Sequence, residues 1–287
     1  MKTAFFLIIL ALFFNSADLN AKSLKILWWN VHNFFDETDD PGIDDTVLTG
    51  EEYNKKLIEI SEELTEIHAD IVGMAEVENL GVLRDIAGRA SYPYYSLISG
   101  NDPRGINVCL LSKLEFTYKT NKDRFTPYEE NRAYKFSRDC PEAELIFDNQ
   151  KIHILLNHLK SNIEKDNKSV KKRVAQVMGI LDIISEMYQK DSPSVPELII
   201  MGDFNSDRNT EPMNILQKSG LTIVNYLYDE DSVYTNSYKN RKHDIDYFMI
   251  NEKILKTAKI TDFKALHEKK LRKISDHFPL VMELDFP

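Results

Sequence analysis

The sequence predicts one α/β domain, and three observations carry that reading. The chain has 287 residues, 43% apolar and 29% charged, a length that a single domain of this class can fill. Short apolar runs that stop at Asn, Asp, Glu or His recur along it, interleaved with segments whose apolar residues fall at helical spacing. Beyond the N-terminal run, no segment is long and apolar enough to span a bilayer.

Residues 1–21 have the form of a signal peptide. Lys2 gives a short basic start, Ala4 to Phe14 is an unbroken run of 11 apolar residues, and Asn15 to Ala21 is polar with Ala at its end. Cleavage is expected near Ala21, which leaves residues 22–287 as one domain, secreted or periplasmic, with no transmembrane segment. No Cys lies near the cut to accept a lipid. Lys2 and Asp18 cancel, so the mature chain keeps the net charge of −10. An acidic protein gains nothing from its overall field toward a polyanion, so a phosphate site needs a metal ion or a local basic patch. Of the two cysteines, Cys109 lies within the apolar run Ile106 to Leu111 and reads as a buried thiol, with a bridge to Cys140 the lesser expectation.

The first predicted strand, Leu24 to Asn30 (L-K-I-L-W-W-N), ends on an amide. Asp36 to Asp45 follows with six acids in ten residues. An EF-hand loop needs Glu at its twelfth position, where Val47 stands, so the stretch reads as a solvated loop. Glu51 to His68 is predicted helical, with Leu57, Ile60, Leu64 and Ile67 on one face and Thr49 placed to cap it. Asp70 to Ala75 is a strand that stops at Glu76. Of the two acids in A-E-V-E-N, Glu76 is nearer the strand end than Glu78, and a hard cation such as Mg²⁺ takes such a carboxylate while keeping several waters. Asn79 to Ala90 reads as a short helix, and Tyr92 to Ile98 and Ile106 to Leu111 as strands. The polar loop between those strands carries Asp102 and Arg104, whose guanidinium fork suits a phosphate. Lys113 to Tyr134 reads only as loops and strand edges.

Phe136 to Arg138 is predicted to open a set of strands with Leu145 to Phe147 and Lys151 to Asn157. The last of these is apolar enough to be buried on both faces, and it delivers Asn157 and His158, followed by Lys160 and Ser161, where an anion could be bound. Val170 to Tyr188 is a helix with a basic start, Lys168, Lys171, Lys172 and Arg173. Next comes L-I-I-M-G-D-F-N-S-D, Leu198 to Asp207, read as a buried strand that Gly202 ends before a tight polar turn. Asp and Asn after a strand also make an ordinary Asx turn. As chemistry, Asp203 can relay a proton, and the Asn205 amide can donate to an oxyanion and accept from a water.

Pro212 to Gly220 is a short helix. Val233 to Tyr238 is a weak strand and Lys239 to His243 a basic turn. The strand that runs on through Ile250 carries Asp246 on the face opposite Ile245 and Tyr247. Lys269 to Lys273 is basic, and Asp276 and His277 precede the last strand, Leu280 to Leu284. Adjacent side chains diverge, so Asp276 is badly placed to orient His277, and Asp246 is the acid expected to do so.

Seven segments, W-N-V-H-N-F-F-D, A-E-V-E-N, R-G-I-N-V, N-H-L-K-S, G-D-F-N, D-I-D-Y and S-D-H-F-P, stand in the order seen in a known superfamily. In them the sequence resembles the endonuclease/exonuclease/phosphatase superfamily, that of DNase I and the exonuclease III type of abasic-site endonucleases, over essentially the whole mature chain. The resemblance implies a four-layer α/β/β/α sandwich, two mainly antiparallel sheets flanked by helices, with strand-end loops gathered into one phosphodiester-cleaving site. Glu76 then resembles the principal metal ligand, with Asn30 beside it and Asp276 on the far side. His277 resembles the general base oriented by Asp246, and His158 the second histidine. Asp203 and Asn205 resemble the pair that positions water and phosphate oxygens. Arg138 resembles a phosphate-binding arginine, and Arg104 and Asp102 are weaker extrapolations. His32 departs from the acid or amide that many relatives carry.

The function expected is that of a monomeric, secreted or periplasmic nuclease using Mg²⁺, or Mn²⁺ or Ca²⁺ in its place, on DNA or RNA. His277 is expected neutral, taking a proton from water, with His158 as its protonated counterpart. The alternatives are a phosphatase or sphingomyelinase-like phosphodiesterase acting on inositol phosphates or lipids, and a binding protein without catalysis.

Overall fold

The computed structural model describes residues 21–129, 132–162, 167–238 and 241–287. The predicted signal peptide, apart from Ala21, lies outside these residues. In chain order the elements are β1 (Lys22–Phe34), α1 (Gly50–Ile67), β2 (Ile71–Val77), α2 (Leu80–Arg89), β3 (Tyr94–Leu97), β4 (Asn107–Ser112), β5 (Phe116–Lys119), β6 (Thr126–Glu129) and β7 (Arg132–Tyr134). Then follow β8 (Glu142–Phe147), β9 (Gln150–His158), α3 (Asn167–Lys190), β10 (Glu197–Asp203), α4 (Glu211–Lys218), β11 (Thr222–Ile223), α5 (Glu230–Val233), β12 (Asn236–Tyr238) and β13 (Arg241–His243). The chain closes with β14 (Asp246–Ile250), α6 (Glu252–Thr257), β15 (Lys259–Ala265), α7 (Leu271–Ile274) and β16 (Leu280–Phe286).

Two six-stranded sheets form, in the orders β15-β16-β1-β2-β4-β3 and β11-β14-β10-β9-β8-β5. Each is antiparallel except at its centre, where β1 runs parallel to β2 and β9 parallel to β10. Three apolar layers set the stacking. Ile26, Trp28, Ile71 and Leu110 of the first sheet meet Ile154, Leu156, Met201 and Phe248 of the second. The opposite face of the first sheet, with Leu27, Trp29 and Met74, is covered by Ile60 and Leu64 of α1 and Leu83 and Ile86 of α2. The outer face of the second, with Leu155, Leu198 and Ile200, is covered by Val177 and Ile180 of α3 and Met213 of α4. The α/β/β/α sandwich is therefore observed.

Adjacent Trp28 and Trp29, both fully buried, go to different layers as the period of two in a strand requires. A one-residue slip of β1 would exchange them and every neighbour, so burial of both faces fixes the register and hence where the strand ends. The sheets approach closely at Gly73, where a Cβ would lie 2.7 Å from Leu156 Cδ2 and 2.9 Å from Trp28 Cε3. Thr49 caps α1 in a reciprocal capping box with Glu52.

Several elements differ from the sequence reading. β1 continues past Asn30 to Phe34. Phe136 to Arg138 is not a strand: Arg138 O accepts from Asn101 N at 3.0 Å, and the segment bends to meet that loop. Gly202 lies inside β10 rather than ending it, because the strand has to pass close to Asn157. Within the predicted strand Val233 to Tyr238, Val233 ends α5 and only Asn236 to Tyr238 forms a strand, paired with Arg241 to His243 of the supposed basic turn; Lys239 and Asn240 lie outside the described residues. Cys109 and Cys140 are both free thiols, buried in different apolar layers.

Candidate active site

The carboxyl ends of the two parallel pairs lie together, and the candidate residues stand on them. Asn30 is in register with Ala75, the residue before Glu76. In the other sheet Asp203 pairs with both His158 and Asp246. Clustering at the carboxyl ends of parallel strands is the general rule for ligand sites in such sheets. Asn30 joins the two sheets: its Nδ2 donates to Asp203 Oδ2 at 3.1 Å and to Glu76 Oε1 at 3.3 Å. Its Oδ1 accepts from His32 N, and Asn33 N donates to Glu76 Oε2 at 2.8 Å.

That hold uses strained backbone. Glu76 sits at φ 66°, His32 at 55°, Asn33 at 51° and Asn205 at 47°, all in the left-handed region. For residues with a side chain each costs roughly 1–3 kcal/mol, and such strain gathers where a site over-determines its geometry.

His277 lies between two acids. Its Nδ1 donates to Asp246 Oδ2 at 2.6 Å, while Nε2 is 3.9 Å from Asp203 Oδ2. Asp246 Oδ1 accepts from Trp28 Nε1 at 2.7 Å, so a core side chain fixes the acid that fixes the imidazole. The loop before β16 is tied to β1 by Ser275 Oγ, which donates to Asn30 O at 2.6 Å, and by Trp29 Nε1, which donates to His277 O at 3.0 Å. On the other side, His158 Nε2 stands 3.4 Å from Asp203 Oδ2 and 3.8 Å from Glu76 Oε1.

These environments set the charges. Burial opposes the charged form of His277, yet Asp246 and Asp203 outweigh it and push its pKa up to about 10. Burial pushes His158 well below the usual histidine range, and Arg138, His277 and Arg104 add to that. Burial and the nearby Asp246 raise Asp203 to about 7, against the pull of His277, Asn205 N and Asn30. These directions run opposite to the charge states expected from the sequence, neutral His277 beside protonated His158. Their cause, the meeting of Asp203 and Asp246 around one buried ring, comes from sheet pairing.

Arg138 is buried, with Nε 2.7 Å from Asp102 Oδ2 and Nη1 donating to Leu159 O at 2.9 Å. Leu159 O also accepts from Asn205 Nδ2 at 3.2 Å, and Asn205 N donates to Asp203 Oδ1 at 2.8 Å. Arg104 pairs with Asp102 and donates to Asn33 Oδ1 at 3.4 Å, which brings it to the edge of the group. Asp276 stands apart, half-exposed, with Oδ1 3.9 Å from His32 Nδ1. Reading the sequence missed Lys56 of α1. Its ammonium donates to His32 O and to Asn33 O at 3.3 Å under the field of Glu76 and Asp276, while burial lowers its pKa to about 8. No local signal marks it, since α1 brings it there only once packed.

The donor set suits a divalent cation. Glu76 and Asp276 offer carboxylate oxygen, the ligand type that hard cations take, and both add to the negative field at the Lys56 ammonium; Asn30, its Nδ2 turned to Glu76 and its Oδ1 to His32 N, would have to turn its amide to add an oxygen. A second acidic group, Asp203, Asp246 and His277, also has ligand atoms within 4.8 Å of one another. There Asp246 is engaged by Trp28 and His277, and Asp203 by Asn30.

Solved structures share this fold. The catalytic domain of human Nocturnin with bound sulfate superposes with a TM-score of 0.65 at 17% identity, covering 93% of this chain and 98% of that one. A humanized D. rerio TDP2 superposes at 0.63 with 19% identity, covering 91% and 98%. ANGEL2 superposes at 0.65 with 13% identity, covering 93% and 97%. No curated protein matches by sequence. Residues 25–271 match the Endonuclease/Exonuclease/phosphatase family, and the chain belongs to that family.

Proposed function

We propose that the chain is a metal-dependent phosphodiesterase that cleaves DNA or RNA by attack of water in line with the leaving oxygen. Members of its family are hydrolases of phosphoester bonds. The observation that carries the reading is the convergence on Asp203: His158 at 3.4 Å, His277 at 3.9 Å and Asn30 at 3.1 Å, beside Glu76. A divalent cation held by Glu76, Asn30 and Asp276 would supply positive charge to a non-bridging phosphate oxygen.

The chain's own residues do the rest. Asp203, raised to about 7, is the acceptor for the proton of water, since a base works best when its pKa lies near the operating pH. Asn205 N on Oδ1 and Asn30 on Oδ2 hold that carboxylate in one orientation. His277, charged and locked at Nδ1 by Asp246, presents Nε2–H to the phosphate oxygens. Neutral His158 hydrogen-bonds the opposite side. Arg138 and Arg104 add positive field from behind, Arg138 through burial rather than direct reach.

Nucleic acid is favoured by two features. A structure of D. rerio TDP2 is described in complex with single-strand DNA product, and that of ANGEL2, a 2′,3′-cyclic phosphatase, with adenosine-2′,3′-vanadate. The start of α3 gathers cations as well: burial and then Lys160, Arg138 and Lys168 lower the pKa of Lys172. The signal-peptide form of residues 1–21 supports export, which N-terminal sequencing of the cell-processed protein would test.

The deciding experiment is plasmid nicking by the purified protein with Mg²⁺, beside EDTA and a His277→Ala variant. Cleavage lost in both controls supports the nuclease. Metal-dependent release of phosphate or phosphocholine without nicking moves the substrate to inositol phosphates or lipids. A folded protein with no turnover at all leaves the binding-protein reading.

A further inference from the structure

We propose that the acidic loop between β1 and α1 forms, with Glu78, a Ca²⁺ site separate from the catalytic centre. Asp40, Asp45 and Glu78 each place a carboxylate oxygen within 4.8 Å of the others. Asp40 and Asp45 come from the loop, whereas Glu78 follows the end of β2 and is only 3% exposed. One of its oxygens, Oε2, accepts from Asp36 N at 2.5 Å; the other, Oε1, is buried with no hydrogen-bond partner.

Without a cation, a buried acid with an orphan oxygen beside further acids keeps its charge only at a cost, and burial together with Asp36, Asp45 and Asp40 pushes Glu78 up to about 7. Arg104 of the neighbouring 101–105 loop is engaged with Asp102 at 3.2 Å. Asp36 itself is used inward, Oδ1 accepting from Thr38 N and Oδ2 from Asn79 Nδ2.

The loop is built against the domain. Leu48 N donates to Asp36 O and Asp44 N to Pro103 O, both at 2.8 Å. Gly105 sits at φ 76°, and a Cβ there would lie 2.9 Å from Ile43 Cγ2, so the chain comes close on that side too. Within the cluster, Asp40 N donates to Asp45 Oδ2 at 3.1 Å, which brings the two loop acids together.

Ca²⁺ fits better than Mg²⁺. It takes about 6–8 oxygens in irregular geometry, so three carboxylates plus loop carbonyls and water suffice, whereas Mg²⁺ demands near-ideal octahedral ligands. This is not an EF-hand, because the buried acid comes from another strand. Glu76 and Glu78, two residues apart, serve different partners: Asn30 and Asn33 for the first, Asp36 and Asn79 for the second.

Calorimetric titration with Ca²⁺ tests the site, in a Glu76→Gln background that removes the main catalytic ligand. One Ca²⁺ per chain is expected there, with Kd in the range of about 10⁻⁴–10⁻³ M or tighter. Adding Asp40→Asn and Asp45→Asn should weaken that binding at least about tenfold and abolish the rise in Tm that millimolar Ca²⁺ gives. Where Glu76→Gln fails to fold, the wild type and its Asp40→Asn/Asp45→Asn variant should differ by one Ca²⁺ per chain, with Mg²⁺-dependent turnover equal. Equal Ca²⁺ stoichiometry with and without the loop acids overturns the proposal, as does a Glu76→Gln protein that is folded and binds no Ca²⁺.

Discussion

Asp246 shows how one side chain couples the core to the chemistry. Trp28 holds one of its oxygens and His277 the other, so the acid has a single orientation and the imidazole inherits it. Asp246→Asn keeps the shape and an acceptor for Trp28 but removes the charge that raises His277. Loss of a correctly charged, positioned group of this kind costs about 10²–10⁴-fold in rate. The expected result is a kcat lowered by that order with KM and Tm little changed, read from steady-state kinetics on a small phosphodiester and from thermal unfolding. A fall in Tm matching the fall in rate would make Asp246 a structural residue instead. Glu76→Gln should likewise keep the hydrogen bond from Asn33 N while weakening the hold on metal. Turnover should then need at least about tenfold more Mg²⁺ for half-maximal rate.

At the level of elements, the strand ends decide where chemistry can occur, and Gly202 shows how tightly. A Cβ there would lie 2.5 Å from Asn157 O and 2.6 Å from Asn157 Cβ, between the two strands that carry Asp203 and His158. Gly202→Ala must push them apart, costing about 1–3 kcal/mol and shifting both groups. Reduced Tm together with reduced kcat is expected, and an alanine variant with wild-type rate would refute the claim. Far from the site, β8 and β9 give a pH test. His153 first, then Lys119, holds Glu142 below its ordinary value against the opposing effect of burial. A carboxylate held low when folded stabilises the protein above its unfolded pKa, and that contribution is lost as pH falls through the folded value. Glu142→Gln should therefore lower Tm at pH 7, and the gap to wild type should narrow below about pH 4.5. What the sequence told of these elements follows the same physics. Runs buried on both faces and leading to Asn30, Glu76, His158 and Asp203 were readable because a polar side chain interrupts the apolar run there. Phe136 to Arg138 was misread because its path depends on Asn101 and on Asp139, whose oxygens accept from Thr120, Asn121 and Cys140. The partnership of Asp246 with His277 could be reasoned from diverging neighbours, but the charge on that histidine could not, because Asp203 reaches it only through pairing with β14.

Across the whole molecule, a net charge of −10 opposes any polyanion, so binding depends on where positive charge is gathered locally. In two of the three basic turns, described cations are spent internally. Lys270 pairs with Glu63 and Glu66, Arg272 donates to Asp276 O and Ser237 O, and Lys242 pairs with Asp231. At the start of α3, Lys160, Arg138 and Lys168 add by repulsion to the burial that lowers the pKa of Lys172. Such a cluster lowers its own energy by meeting phosphates, at a cost that salt reveals. Each phosphate contact contributes about one unit to the slope of log K against log salt. Lys168→Ala/Lys172→Ala should raise KM for plasmid or long single strands several-fold and reduce that slope by about 1–2, while turnover of a small phosphodiester stays at the wild-type rate. Equal loss on the small and the polymeric substrate would place these lysines in the folding of α3 instead, and an unchanged slope would move the polymer's path to another face.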